Sequence, residues 1–199
     1  VHPDGWETQY CHLKRGSITV KNDQTVKAGD VLGQIGLSGQ TEFPHLHLSV
    51  RQGGKPVDPF DPDGTLDCSS PGDSTLWNVT PVYQPGGIVA MGVTTEVPEY
   101  TEIKQGIPPA SEFPNTAPAL VVFGFTFGTL KNDILRLSLE GPTGKIFERD
   151  QVLKRNHAQA FRALGHKRPS SGGWPQGSYT ATTTLFRDGT TLSVERRTF

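Results

Sequence analysis

Phe43-Pro44-His45-Leu46-His47-Leu48-Ser49-Val50-Arg51 reads as a strand, closed by the turn formers Gly53-Gly54. Successive side chains of a strand point to opposite faces, so Leu46, Leu48 and Val50 share one face. His45 and His47 share the other, with Cα atoms roughly 6.5–7 Å apart. Two imidazoles side by side are costly to bury without polar partners, so a divalent metal, a water held by one, or a carboxylate should meet them. By itself, an H-x-H on a strand is more often a solvated surface pair than a metal site.

Working toward the N-terminus, Trp6–Leu13 predicts another strand, with Thr8, Tyr10 and His12 on one face and Gln9, Cys11 and Leu13 on the other. Ser17–Lys21 predicts a third strand, and residues 25–36 a strand–turn–strand unit turning at Gly29-Asp30. No segment sustains a helical period. Residues 61–76 are dense in turn formers and read as a linker. Strand signals resume at 77–83, 88–93, 120–127, 134–140, 145–149, 159–164, 178–186 and 191–199, a spacing expected of a β-sandwich. Ile134-Leu135-Arg136-Leu137-Ser138-Leu139 alternates as a half-buried strand should, and Gly141–Gly144 and Arg187–Gly189 supply hairpin turns.

The expected fold class is therefore all-β. A small, barrel-sandwich-like β domain over 1–60 precedes an immunoglobulin-like β-sandwich over 77–199. Composition agrees: 23 Gly and 16 Pro in 199 residues favour short strands joined by turns over long helices. A formal charge of −1 without a basic stripe argues against nucleic acid as a partner. The longest apolar window, 117–127, is too short for a membrane helix, and no signal peptide begins at Val1. Cys11 and Cys68 are either two buried thiols or one disulfide of an oxidising compartment. On strand alternation the Cys11 thiol should point away from His12.

The order of motifs adds a second layer. Gly5-Trp6-Glu7-Thr8-Gln9-Tyr10-Cys11-His12-Leu13 is followed by Val26-Lys27-Ala28-Gly29-Asp30-Val31-Leu32-Gly33-Gln34-Ile35-Gly36, then Ser38-Gly39, Pro44-His45-Leu46-His47 and Val57-Asp58-Pro59. This succession resembles the lysostaphin-type (LytM-like) zinc endopeptidases of bacterial cell walls over about residues 2–60. The resemblance implies that His47 is a zinc ligand and that His45 and His12 are catalytic. His45, by preference, would take a proton from the attacking water, and His12 would steady the oxyanion. Tyr10 is expected to help line the same cleft. The cofactor implied is Zn2+ in the intact protein, the partners are peptidoglycan peptides, and the location is the periplasm or cell envelope of a bacterium.

One departure stands out. The family takes two further ligands from an H-x-x-x-D motif, and none of His2, His12, His45, His47, His157 and His166 has aspartate four residues later. The expectation is that 1–60 is the C-terminal half of the peptidase domain and that this chain is inactive alone. An alternative is a catalytically degenerate module that binds wall peptides or activates another wall hydrolase. The 26–36 hairpin also resembles biotinyl and lipoyl carriers, but those need a lysine at the tip, where this chain has Gly29-Asp30. In the sandwich, His157 and His166 lie among Lys154, Arg155, Arg162, Lys167 and Arg168, which reads as a solvated basic edge. That domain is open to an envelope-protein partner.

Overall fold

The computed structural model describes residues 1–65, 67, 74–106 and 112–199. It is all-β apart from a 3-10 turn at Pro3–Gly5 and one short helix. Two compact units divide the chain, Val1–Tyr83 and Gln84–Phe199.

The first unit holds one antiparallel sheet, ordered β1 (Trp6–Cys11), β2 (His47–Gln52), β3 (Lys55–Val57). β2 and β3 are joined by Gly53-Gly54, both at positive φ (55° and 77°), the backbone that a tight hairpin requires and that glycine adopts without strain. The strands expected at 17–21 and 25–36 are absent; single hydrogen bonds take their place. Lys14 N–H donates to the Gln34 carbonyl at 2.8 Å and Thr19 N–H to the Leu32 carbonyl at 3.1 Å. Two isolated bridges, Leu13–Ile35 and Gly36–His45, complete the connection. Val31 and Ile35 remain 68% and 58% exposed, so this hairpin gains too little burial to extend into a continuous ladder.

Residues 77–83 also form no strand. Pro81 interrupts them, and Val79, Val82 and Tyr83 are exposed. Leu76 N–H donates to the Pro59 carbonyl at 2.9 Å and the Trp77 ring packs 5.5 Å from that of Phe60, so this stretch folds back onto the first unit. The pairing weighed for Cys11 and Cys68 falls on a residue outside the described set; Cys11 itself is a free, half-buried thiol.

The second unit packs two antiparallel sheets face to face. One is ordered β10 (Thr190–Thr198), β9 (Thr180–Arg187), β6 (Ile134–Gly141), β7 (Gly144–Val152). The other is β4 (Gly87–Thr94), β5 (Ala119–Thr129), β8 (His157–Lys167). The alternation read at 134–139 is realised: Leu135, Leu137 and Leu139 are each fully buried against Leu120, Val122, Ala181 and Leu185. Each such leucine contributes about 1.5–3 kcal/mol of transfer free energy. The helix α1 (Tyr100–Gln105) was not anticipated. It is too short to show a period, and its signature is local: Glu102 reaches back to accept the Glu99 N–H at 3.1 Å while Ile103 is buried beneath it.

Candidate active site: three imidazoles at the end of β1 and β2

Register decides which side chains share a face. Cys11 pairs with His47, Gln9 with Ser49 and Glu7 with Arg51. Directly opposed residues project to the same side, so Cys11 stands beside His47. Tyr10 pairs with Leu48 and Thr8 with Val50, on the other side. There Tyr10 lines a cleft of about 320 Å3 with Trp6, Thr8, Leu48, Val50 and Trp77. The alternation expected for Thr8–Cys11 holds but does not extend to His12: Tyr10 lies away from His47, and Cys11 on its side.

The cause is His12. It follows β1 directly and has φ of 65°, in the left-handed region, so the two-residue period stops at Cys11. The turn swings the imidazole back toward the His47 side. The His12 ring lies 5.8 Å from that of His47, nearly parallel at 22°, and 4.8 Å from that of His45, tilted at 50°. The structure therefore brings His12, His45 and His47 together, although His12 reaches them by a route that strand alternation does not describe.

Two of the rings are oriented by backbone carbonyls. His12 Nδ1 lies 2.8 Å from the Ser38 carbonyl, and His45 Nδ1 lies 2.9 Å from the Phe43 carbonyl. A carbonyl can only accept, so in each ring Nδ1 carries a proton and donates it. Both rings are half-buried, while His47 is exposed. An imidazole anchored through Nδ1 can accept a proton at Nε2 when neutral and donate one from it when charged.

Gly36 holds the two histidine-bearing segments together. Its N–H donates to the His12 carbonyl at 2.9 Å, and it bridges to His45. A Cβ here would lie 2.4 Å from Lys14 Cα and 2.5 Å from Lys14 N, both backbone atoms that cannot swing aside. Gly36→Ala is expected to destabilise the first unit by roughly 1–3 kcal/mol, the usual cost of overpacking. It should also shift the imidazole NMR signals of both His12 and His45. Unchanged melting together with unchanged imidazole signals would contradict this account.

Among the described residues, no group of three or more His, Cys, Asp or Glu side chains is arranged to hold a metal ion. Zinc sites need three or four protein or water donors in tetrahedral array. The donors among the described residues do not by themselves fit one. In the second unit, His157 and His166 do not form a cluster. Burial, with Arg155 and Arg162 nearby, holds the His157 imidazole below its ordinary pKa, and His166 Nδ1 is engaged with the Lys167 carbonyl at 2.7 Å.

With this geometry in view, comparison with known proteins finds that residues 1–59 match the model of peptidase family M23. The chain is 44% identical over 64 residues to the cell division protein DipM of Caulobacter vibrioides, covering 29% of this chain and 10% of DipM. It is 41% identical over 58 residues to the DD-carboxypeptidase/endopeptidase Mpg of Neisseria meningitidis, covering 29% of this chain and 13% of Mpg. It is 37% identical over 62 residues to the peptidoglycan DD-endopeptidase ShyB of Vibrio cholerae, covering 31% and 14%. The chain thus spans only 10–14% of the length of these relatives. A solved Bifidobacterium dentium beta-glucuronidase is similar over 57% of this chain and 17% of its own, at 19% identity and a TM-score of 0.33, too slight a likeness to bear on the fold.

Proposed function

We propose that the protein carrying this chain hydrolyses peptide bonds in bacterial cell-wall peptidoglycan, in the periplasm or cell envelope. The observation that carries this reading is the convergence of His12, His45 and His47, with the His12 and His45 rings anchored through Nδ1 by the Ser38 and Phe43 carbonyls. The match of residues 1–59 to family M23 supports it.

In this reading His45 Nε2 accepts the proton of the water that attacks the peptide carbonyl, and later delivers it to the leaving amine. His12, anchored through Nδ1 on the Ser38 carbonyl, is the second imidazole at the reacting centre and steadies the developing oxyanion as a donor. Zinc would be held through His47 together with further donors, since such sites need three or four, and would supply a polarised water for the attack. The second unit is read as an immunoglobulin-like sandwich, with the basic residues around β8 as a face for an envelope partner.

The incomplete donor set favours a second reading, a module that binds wall peptides without cleaving them. Digestion separates the two. The whole protein is incubated with purified cross-linked muropeptides and the products are weighed by mass spectrometry. The expected result is a new amine and carboxylate at a cross-link, abolished by a zinc chelator. Muropeptides that bind yet stay intact would replace the hydrolase by the binding module.

A further inference from the structure

The ring of His45 is held by more than one group, and the second holder belongs to none of the motifs described above. Thr41 Oγ1 lies 3.1 Å from the Phe43 carbonyl oxygen, to which it donates, and 3.2 Å from His45 Nδ1. His45 Nδ1 in turn lies 2.9 Å from the same carbonyl. The three atoms form a closed triangle. Only one assignment of protons satisfies it. The hydroxyl proton goes to the carbonyl, and the Nδ1 proton is shared between the carbonyl and the hydroxyl lone pairs. With the proton on Nε2 instead, the Nδ1 lone pair would face the carbonyl oxygen at 2.9 Å, which is repulsive.

We infer that Thr41 is a positioning residue that locks His45 in its Nδ1–H tautomer. The inference rests on the proposed reading of His45 as the proton acceptor, because that role requires an unprotonated Nε2. The local chain supports the lock. Pro44 restricts Phe43 to extended backbone. The Phe43 ring packs 4.7 Å from the imidazole of His45, limiting its rotation. Thr41, Phe43 and His45 are all half-buried, so water competes weakly for these bonds. Removing the hydroxyl leaves the Phe43 carbonyl held by Nδ1 alone and free to turn toward solvent.

The test reads the tautomer directly. The full chain is prepared with ring-15N histidine and long-range proton–nitrogen correlations are recorded at about pH 9, where imidazoles are neutral. Wild type should show His45 protonated on Nδ1. Thr41→Val, which keeps the shape and loses the hydroxyl, should raise the Nε2–H share by about three- to tenfold, the equivalent of one ordinary hydrogen bond. Thr41→Ser should restore the wild-type pattern. His12, anchored on Ser38, serves as the internal reference and should not change. If Thr41→Val misfolds by backbone NMR, Thr41→Ala carries the same expectation. A wild-type His45 protonated on Nε2, or a tautomer indifferent to losing the hydroxyl, would overturn the inference. Because the readout is a nitrogen shift, it stands or falls apart from hydrolysis: a locked tautomer in a protein that cleaves nothing would sink the hydrolase reading alone.

Discussion

Replacing His45 with alanine in the whole protein is expected to slow muropeptide cleavage by about 10²–10⁴-fold, the usual worth of a positioned general base. The loss should fall on kcat, with KM little changed, because proton transfer is felt in the transition state and not in ground-state binding. His45 is half-buried two residues before β2, with Nδ1 committed to the Phe43 carbonyl. Alanine there removes the acceptor without removing a strand pairing, since the Gly36–His45 bridge runs through the backbone. His12→Ala should also lower kcat, through lost oxyanion stabilisation. His157→Ala, on the second unit, should leave the rate unchanged. An H45A protein within a factor of ten of wild type would remove the general-base role.

The second large effect concerns stability of the sandwich. Asp133→Ala is expected to destabilise the Gln84–Phe199 unit by roughly 3 kcal/mol, near the low end for breaking a buried ion pair. Asp133 is buried, at 2% exposure, and accepts from Arg187 Nε at 3.0 Å and Nη2 at 2.8 Å. It also accepts the Leu130 N–H at 2.8 Å, closing the turn between β5 and β6. Burial works to raise its pKa, but the hydrogen bonds from Arg187 and Leu130 outweigh that, and the carboxyl ends below its ordinary value. A depressed pKa in the folded state stabilises the fold above the unfolded pKa of about 3.9, and that contribution is lost as pH falls through the folded value. Wild type should therefore lose this stabilisation as pH falls below about 4, whereas the variant lacks that dependence, so the gap between the two narrows in acid. Thermal melting followed by circular dichroism checks both: a drop of roughly 10 °C or more at neutral pH is expected. A variant melting with wild type would show that the turn and the guanidinium tolerate the loss.

Much of the second unit was legible because its signals are local. Ile134–Leu139 alternates, its three leucines face the core, and the Arg187–Gly189 turn stands where β9 meets β10. The helix at Tyr100–Gln105 was not legible, since one turn and a half of helix leaves no period to read. In the first unit, the segment 17–36 carries strand composition yet forms only bridges, because composition reports affinity for a half-buried pleat and not whether that burial is available.

For the site, sequence alone determined the members: an H-x-H after a proline, a third histidine closing an aromatic-rich strand, and between them a glycine-punctuated hairpin. Those are statements about residue type and spacing. Only the tertiary structure decided who faces whom. His12, at φ 65°, uncouples its ring from the alternation of β1, while the β1–β2 register puts Cys11 on the His47 side and Tyr10 on the other. The close pass of Gly36 over Lys14 then brings the His12 and His45 segments into register. Periodicity in a sequence describes a chain only while its backbone stays in one region of φ and ψ, and contacts across thirty residues are settled by packing that no local pattern records.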